Sequence, residues 1–572
     1  MDGTAPDPEH HQPMGAVPGD GETSFRVWAP HADAVAVRGS FTGWSEATPL
    51  AAEGNGCWSV VLPGVGPGAE YRFQISYGGQ LLDRIDPYAQ QVTREGAAVV
   101  YDHASFDWGG DRSCCPSQSQ LVIYEATWAP VGAAGDGLVG RLDHIADLGV
   151  NAIQLLPVTE TGQAWVEQTG QVFAISPAHG GPDALKTLVR EAHRRGLAVI
   201  WDVAYHHLGP VGTGLWRYDG WGADGYGGIY YYNDQRARTP WGPTRPDFGR
   251  PEVQRMLLDN ALMWLRDYHL DGLRYDHTGY LYSVDGTGFE LSEGWDLVRR
   301  LNQTVRAELP DRVLVAEDLP GHSRITATSD DGALFHAQWD AHFLQSVRRA
   351  LEASSDRDRS VVEVRDAIGS SYGDPLCRVI YAANHDELAE ALEAAAPEDP
   401  VAAWAERRRA ALAVAVVLTS PGIPMLVEGQ VSAAGLDDAV TSQGRNPYQD
   451  LARLRRNWFG QTRGLRGAGL FVHHTNDDQN LIAWQRWDRH GAGDDVVVVA
   501  NLSAEPRSGY RIGMPGAGQW RLRFSCDDPA YPDSAGHCGG DIEAYEGRRD
   551  QMDAHAEISI GGYSLQVYSQ DV

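Results

Sequence analysis

Eight short apolar runs, separated by longer stretches with helical periodicity, constrain the fold of this chain more than any other feature of its sequence. Runs rich in β-branched residues that alternate with helices predict a parallel sheet, because parallel strands need a crossover connection, which is usually a helix. Eight such units in succession predict a (β/α)8 TIM barrel with insertions in its loops. The runs comprise Leu121–Glu125, Ala152–Leu156, Leu197–Asp202, Gly272–Asp276, Val313–Glu317, Leu334–Gln338, Arg378–Ala382 and Ile423–Val427.

β-rich regions flank the predicted barrel on both sides, so the chain is expected to be multidomain. Before the barrel, short alternating segments are separated by turn residues at intervals of about eight to twelve positions, which is typical of a β-sandwich. After the barrel the helical pattern stops, and strand-like runs predict a C-terminal antiparallel β-sandwich. We expect a disordered tail over 1–20, a β-sandwich over 21–110, the barrel over 111–455 and a C-terminal β domain over 456–572.

The charge balance narrows the classes of partner. A net charge of −30 argues against nucleic acids and anionic membranes as ligands, because their phosphates would be repelled. The first residues contain neither a basic stretch nor an apolar core, and no apolar run approaches the length of a membrane span. A cytoplasmic protein is therefore expected.

The cysteines are too scattered to predict a disulfide framework, and reduced thiols are expected. Cys526 and Cys538 could nevertheless pair within the C-terminal region. No Cys/His spacing resembles a zinc site. Neither a metal nor a cofactor is predicted. The sequence leaves the oligomeric state open.

Acidic residues and a histidine stand where several predicted strands end, and this indicates chemistry. They are Asp202, Asp276, Glu317 and the Asn384–Asp386 segment. The C-terminal strand ends of a barrel converge on one face, where active sites lie. Arg274, two residues before Asp276, shares its strand face and can hold that carboxylate ionised, as a glycosidase nucleophile requires. Taken alone, this stretch also fits a structural Arg–Asp pair.

Four short motifs follow one another along the predicted barrel: Asp202–His207 on the third strand, Asp271–Asp276 on the fourth, Val315–Asp318 on the fifth and Asn384–Asp386 after the seventh. Together they resemble the motifs of the α-amylase superfamily, glycoside hydrolase family 13. The first domain resembles the family 48 carbohydrate-binding module through Phe25–Pro30, Gly39–Trp44 and Asp86–Ala89. Trp44 there either stacks on a sugar ring or packs in the protein.

The resemblance implies a retaining mechanism and a role for each matched residue. Asp276 would be the nucleophile, Glu317 the general acid/base and Asp386 the transition-state stabiliser. The implied ligand is an α-glucan or a malto-oligosaccharide. Residues implied to bind the reacting sugar are Asp202, His207, Arg274 and His385, whereas packing fits at least as well for Tyr205, His277 and Tyr280.

Two positions depart from the family's pattern. His206 stands where the family usually has Asn at a calcium site, and because imidazole is a poor calcium ligand, that site is not carried over. Glu167 stands after Trp165, where the family commonly has a Gly-Tyr pair whose Tyr lies beneath the reacting sugar. Either another aromatic residue supplies that platform, the sugar binds differently, or the alignment is shifted here.

The reaction is open between two classes of enzyme. Leu155–Val158 and Asn384–Glu387 resemble glucan branching enzymes, whereas Ala316–Leu319 followed by Ala337–Asp340 resembles malto-oligosyltrehalose trehalohydrolases. With a sandwich before the barrel, we favour transfer of an α-1,4-glucan segment to a 6-hydroxyl group. The alternatives are a hydrolase of the trehalohydrolase or α-amylase type and a catalytically inactive glucan-binding protein.

Aromatic residues crowd the loop after the third predicted strand. This loop either packs on itself or positions an acceptor sugar against competing water. The residues are Trp216, Trp221, Tyr226, Tyr230, Tyr231, Tyr232 and Trp241.

Overall fold

The computed structural model describes residues 12–572 except 114, 129–136, 157–170, 213, 224, 354, 387–398, 430–444, 532, 535 and 537–538. An N-terminal sandwich, a closed parallel barrel and a C-terminal antiparallel sheet follow one another, which confirms the predicted fold class. Among the described residues, no helix has both the length and the apolar character needed to cross a bilayer.

The N-terminal unit consists of two antiparallel sheets whose alternate residues face each other. Phe25 and Phe73 are fully buried between the sheets, as the alternating pattern predicts. The strands are β1 (Gly15–Gly19), β2 (Glu22–Trp28), β3 (Ala34–Gly39), β4 (Thr48–Pro49), β5 (Ala51–Ala52), β6 (Cys57–Pro63), β7 (Glu70–Tyr77), β8 (Gln80–Arg84), β9 (Gln91–Val92) and β10 (Ala98–Val99). One sheet has the order β1-β2-β6-β5, and the other has β4-β3-β7-β10-β9 with β8 beside β7.

The barrel closes where its last strand pairs in parallel with its first, with Ile123 opposite Met425. Every residue of these strands is buried, which is why they read as continuous apolar runs. In chain order they are β11 (Ile123–Ala126), β12 (Ala152–Leu155), β13 (Ala198–Val203), β14 (Gly272–Tyr275), β15 (Val313–Ala316), β16 (Ala337–Trp339), β17 (Arg378–Ile380) and β18 (Ile423–Val427).

The sixth strand begins later than the sequence predicts. Leu334 has a φ of +64°, in the left-handed region that a residue with a side chain does not adopt in a regular strand, and β16 starts only at Ala337. β14 and β15 end one residue before Asp276 and Glu317, so both acids are the first residues beyond their strands.

Helices connect the barrel strands and cover the outside of the sheet. The third of them starts with Pro251, whose missing N–H costs nothing in the first turn, and it buries Leu257 and Trp264. The described helices are α1 (Gly137–Asp147), α2 (Gly181–His193), α3 (Pro251–Arg266), α4 (Gly279–Tyr282), α5 (Ser292–Glu308), α6 (Ala341–Glu352), α7 (Val361–Gly369), α8 (Pro400–Thr419) and α9 (Pro447–Arg455).

The C-terminal unit is antiparallel throughout and has a core of its own, in which Trp520 and Ile512 are buried. Its strands are β19 (Gly469–Asn476), β20 (Leu481–Trp487), β21 (Val496–Asn501), β22 (Arg507–Met514), β23 (Gly518–Ser525), β24 (Ile542–Arg549), β25 (Met552–Ile560) and β26 (Ser564–Ser569). The strand order is β19-β20-β21-β26-β23-β24-β25-β22.

The N-terminal sandwich packs against the long loop between β13 and α3. Arg84 donates from Nε to the carbonyl of Tyr218 at 2.8 Å. The His31 ring stacks on Trp221 with a centroid distance of 4.5 Å, and its Nδ1 lies 2.8 Å from Oδ2 of Asp219. The sandwich therefore supports the loop that leads to the active face of the barrel.

The single lysine of the chain, Lys186 on α2, is buried where the segment after the sandwich meets the barrel. Its Nζ lies 5.1 to 5.9 Å from four aromatic ring centroids and donates to the carbonyl of His103 at 3.1 Å. Burial lowers the pKa of Lys186 to about 8. The rings belong to Tyr101, Phe106, Trp108 and Tyr268.

Four of the cysteines that the structure describes carry free thiols, and Cys526 is one of them. Its predicted alternative partner, Cys538, lies outside the described residues. The others are Cys57, Cys115 and Cys377.

Candidate active site

Arg274 holds three carboxyl groups together at the C-terminal face of the barrel. Its side chain is buried, and its Nη1 donates to Oδ2 of Asp202 and to Oδ1 of Asp276, both at 2.5 Å. Its Nη2 lies 2.9 Å from Oε2 of Glu317. β13, β14 and β15 are neighbours in the barrel, with Asp202 opposite Arg274 and Arg274 opposite Val315, so the acids converge from adjacent strands.

The two predicted catalytic carboxyl groups are close enough for a retaining mechanism. A carboxylate oxygen of Asp276 lies within 4.8 Å of one of Glu317. Retaining glycosidases place these groups about 5–5.5 Å apart, whereas inverting ones leave about 6.5–9.5 Å for a water molecule. The separation of the two groups therefore matches the arrangement of retaining enzymes.

The same surroundings drive the pKa values of these two groups in opposite directions. Burial raises the pKa of Asp276, but the positive charge of Arg274, with smaller effects from His206 and His277, outweighs burial and holds the pKa below its usual range. Burial raises the pKa of Glu317, and the charge of Asp276 adds to this rise against the opposing effect of Arg274. The surroundings thus favour the ionised form of Asp276 and the protonated form of Glu317.

Asp202 lies beneath Arg274 and is buried. Burial raises its pKa to about 8, and the charge of Asp276 adds to the rise although Arg274 opposes it. One guanidinium cannot balance three carboxylates, so a neutral Asp202 leaves the charge of Arg274 available to Asp276 and Glu317.

His277 supports Glu317 through its backbone. Its N–H donates to Oε2 of Glu317 at 2.8 Å, and its ring Nδ1 lies 3.7 Å from the same oxygen. The φ of His277 is +38°, in the left-handed region that side chains disfavour. This strained conformation aims the N–H at the predicted acid.

Two consecutive histidines line the other side of Asp276. Nδ1 of His207 and Nε2 of His206 are 2.8 Å apart, and Nδ1 of the fully buried His206 lies 3.8 Å from Oδ2 of Asp276. Burial lowers the pKa of His207 to about 4 and that of His206 well below its usual range, so both rings are neutral.

Trp241 covers this pair of histidines at the cleft. Its ring stacks on His207 with an interplanar angle of 9° and a centroid distance of 5.1 Å, and it is 39% exposed. Of the other aromatic residues in this loop, Tyr230, Tyr231 and Tyr232 are buried. The loop thus packs partly on itself and presents Trp241 to the site.

His385 lies against a buried carboxylate that the sequence analysis missed. Oε2 of Glu125 accepts the backbone N–H of His385 at 3.0 Å, and Oε1 lies 3.1 Å from its Nδ1. Gln154 donates to the same Oε1 at 3.1 Å. Burial lowers the pKa of His385, but the hydrogen bond and charge of Glu125 outweigh it and raise the pKa to about 9. A glutamate inside an otherwise apolar strand is the signal that could have revealed this contact.

The structure does not place Asp386 on the Arg274 guanidinium with the other predicted acids. Its side chain is 68% exposed, and Oδ1 lies 3.5 Å from Nε2 of His385. Its backbone N–H donates to Oδ1 of Asn384 at 3.0 Å. Asp386 is therefore at the rim of the cleft, next to a segment, 387–398, outside the described residues.

Three family models match successive parts of the chain. Carbohydrate-binding module 48, the isoamylase N-terminal domain, matches residues 13–89, the alpha amylase catalytic domain matches 118–213 and the alpha amylase C-terminal all-beta domain matches 471–571. The 1,4-alpha-glucan branching enzyme GlgB of Burkholderia thailandensis is 30% identical over 91% of this chain and 67% of its own length. The chain belongs to the GlgB family of 1,4-alpha-glucan branching enzymes. A GlgB of Corynebacterium jeikeium is 28% identical over 96% of this chain and 82% of its own.

Solved structures share the fold of this GlgB-family chain. A pullulanase from an Anoxybacillus species has a TM-score of 0.75 at 19% identity, covering 98% of this chain and 86% of that one. A type I pullulanase from Bacillus subtilis, complexed with maltose, has a TM-score of 0.72 at 19% identity over 98% and 86%. At this identity the likeness concerns the fold alone.

The two departures from the family's pattern have different outcomes in this GlgB-family chain. His206 turns its ring towards Asp276 and His207, and each of its nitrogens faces one of them. Glu167 lies outside the described residues. Asp276, His277 and Glu317 bring potential metal ligands within 4.8 Å of one another, but Arg274 already lies against both carboxylates and supplies the positive charge there.

Proposed function

We propose that this chain is a retaining α-glucan transglycosidase, which cleaves α-1,4 bonds and transfers the released segment to a 6-hydroxyl group. The observation that carries the proposal is the pair of Asp276 and Glu317, within 4.8 Å of each other and with pKa values moved in opposite directions. The names of its relatives, 1,4-alpha-glucan branching enzymes, support transfer as the reaction type.

The reaction would proceed by double displacement at the anomeric carbon. A carboxylate oxygen of Asp276 attacks that carbon, the glycosidic bond breaks, and Glu317 gives its proton to the leaving oxygen. Glu317 then removes the proton from the acceptor's 6-hydroxyl, whose oxygen displaces Asp276. Both carboxyl groups thereby return to their starting protonation states.

The remaining predicted residues would bind the reacting sugar. His385 as a cation, His207 and Asp386 offer polar groups for its hydroxyls, and such contacts strengthen in the oxocarbenium-like transition state. Exposure at the rim leaves Asp386 free to meet a bound sugar, and catalytic contacts are commonly longer without substrate. We assign glucan recognition to 21–110, catalysis to 111–455 and support of the barrel to 456–572.

Transfer and hydrolysis differ in what accepts the glycosyl group. A well-positioned hydroxyl can reach effective molarities of about 10⁵–10⁸ M, far above the concentration of water. Amylose treated with the protein should lose iodine colour and gain α-1,6 linkages by proton NMR while little reducing sugar is released. If reducing ends or trehalose rise with every bond broken, the protein is a hydrolase.

Two variants test the assignment of the acids. Asp276→Ala and Glu317→Gln should each reduce turnover by roughly 10³-fold or more without unfolding the chain, since covalent and acid catalysis supply much of the rate. The exposed Asp330 provides the matched control, Asp330→Asn, which should keep full activity. A folded Asp276→Ala protein with normal activity would remove Asp276 from the mechanism.

A further inference from the structure

His206 is a buried polar residue whose two ring nitrogens face Asp276 and His207. Its side chain is fully buried, and its Nε2 is engaged by Nδ1 of His207 at 2.8 Å. Nδ1 of His206 has no hydrogen-bond partner among the described residues, and it is aimed at Oδ2 of Asp276 at 3.8 Å. A buried polar atom left in this way normally costs stability, so its retention beside the predicted nucleophile calls for a functional reason.

The contacts determine which ring nitrogens carry hydrogens. In a neutral imidazole one nitrogen donates and the other accepts, and the 2.8 Å contact requires one donor and one acceptor. If His206 donated from Nε2, its bare Nδ1 would face the carboxylate of Asp276 and the two acceptors would repel each other. The favourable arrangement therefore puts the His206 hydrogen on Nδ1 and the His207 hydrogen on Nδ1.

We propose that His206 is a positioning residue, which faces the ionised Asp276 with Nδ1–H, accepts Nδ1–H of His207 and so leaves Nε2 of His207 as an acceptor for a substrate hydroxyl. The charge on the nucleophile fixes the tautomers of two histidines in series. When Asp276 loses its charge in the glycosyl–enzyme, the reason for this arrangement is removed. The proposal rests on the proposed function and adds a role for a residue at which this chain departs from the pattern of the superfamily.

The other groups facing His206 are consistent with this arrangement. Arg274 on β14 and His277 just after it lie on one side of His206. Trp241 from the loop and Tyr280 from α4 also lie against its ring. Arg274 binds Oδ1 of Asp276, which leaves Oδ2 turned to His206. Burial lowers the pKa of His206 and outweighs the opposing charge of Asp276, and the neighbouring imidazoles and Arg274 add to the lowering, so the ring is neutral.

The tautomers can be read directly in the unmodified protein. Histidine-selective ¹⁵N labelling and NMR distinguish Nδ1–H from Nε2–H rings, and the signals are assigned through their loss in His206→Gln and His207→Gln. We expect both rings to carry their hydrogen on Nδ1, and Asp276→Asn to shift the pair towards the opposite tautomers. Nε2–H on either ring of the unmodified protein would overturn the proposal.

The kinetic test separates positioning from packing. His206→Phe keeps a buried ring but removes both nitrogens. We expect kcat/KM to fall about ten-fold, less than the about 10²–10³ for a direct donor to a developing charge, because Arg274 remains. The acidic limb of the pH profile should move to higher pH, since the ionised Asp276 loses the N–H dipole that faces it. His206→Gln, whose amide can donate and accept, should recover part of both effects.

A second buried histidine provides the matched control. His473 on β19 is 6% exposed in the C-terminal unit, so His473→Phe carries a similar cost of folding but should leave the pH profile unchanged. A folded His206→Phe protein with an unchanged acidic limb would contradict the proposal, and the NMR measurement decides if that variant does not fold. Because the tautomers are measured without substrate, a failed transfer assay would contradict the proposed function and leave this result standing.

Discussion

Asp276 and Glu317 follow neighbouring barrel strands and bind different nitrogens of one guanidinium, at 2.5 and 2.9 Å. Arg274 is thus a common counter-ion to the predicted nucleophile and the predicted acid. The planar fork holds both groups at fixed positions, which a point charge on a flexible stem would not do. When Glu317 loses its proton or Asp276 forms a bond, the negative charge that Arg274 balances therefore changes.

Arg274→Lys tests this shared role. Lysine keeps the charge but cannot reach three carboxyl groups, so the pKa of Asp276 should rise and the acidic limb of kcat/KM should move to higher pH. We expect turnover to fall by about 10² or more and the free energy of unfolding to drop by about 3 kcal/mol, because buried carboxyls lose a partner. Activity across pH and urea unfolding measure the two effects. Arg349→Lys, at a surface pair, is the control, and an equal response of both variants would argue against the assignment.

Glu125→Gln should move the alkaline limb of activity to lower pH. Burial lowers the pKa of His385, but Glu125 outweighs burial and raises it to about 9, so the ring stays charged at neutral pH. Because this pKa is raised on folding, the pair stabilises the protein fully below about pH 6.5, and the stabilisation is lost as pH rises through about 9. Without Glu125 both transitions move down in pH. Profiles of kcat/KM and Tm from pH 6 to 10 check this, with the exposed Glu352→Gln as the control. Unshifted profiles in Glu125→Gln would show that Glu125 does not raise the pKa of His385.

Trp241 should contribute to sugar binding through its exposed face. Removing the ring in Trp241→Ala should raise KM for malto-oligosaccharides about three- to ten-fold, the equivalent of about 0.5–1.5 kcal/mol of stacking. Trp241→Phe retains a stacking face and should lose less. Titrations with maltoheptaose measure the effect, and Trp458→Ala, another exposed tryptophan, serves for comparison. An unchanged KM in Trp241→Ala would return the loop to a purely structural role.

Gly220→Ala should loosen the contact between the N-terminal sandwich and the barrel loop. A Cβ there would come within 2.6 Å of the Tyr77 ring, at a φ of +93° that disfavours alanine. Gly225 has a φ of +77° but open space around it, so Gly225→Ala measures the backbone strain without the steric clash. We expect Gly225→Ala to cost about 1 kcal/mol from backbone strain, and Gly220→Ala to cost about 1–3 kcal/mol more from overpacking. Urea unfolding of both variants measures the difference, and equal costs would contradict a tight interface.

Local patterning predicted most of the architecture because its physical cause is local. The barrel strands are buried on both faces, so each reads as an apolar run whatever its neighbours are. The alternation of side chains put Arg274 and Asp276 on one face before any pairing was known. The sequence predicts too early a start for β16, because the left-handed conformation of Leu334 leaves no mark in an apolar sequence.

The parts of the site that could not be predicted depend on contacts between distant segments. Glu125 meets His385 only because the barrel closes, and 260 positions separate them along the chain. The exposure of Asp386 follows from the path of its loop, and the choice of Trp241 among several aromatic residues follows from how the rest of the loop packs. The chemistry of imidazole alone predicts that His206 is a poor calcium ligand, whereas its position against Asp276 depends on the fold.

The enclosure of Lys186 has a consequence for the chemical durability of the protein. Reducing ends of sugars carry aldehydes that condense with amines to Schiff bases, and lysine side chains are the usual targets in proteins. This chain meets its positive-charge requirement with arginine and places its single lysine, fully buried, among four aromatic rings. The chain thereby offers no exposed lysine to the reducing end of a sugar.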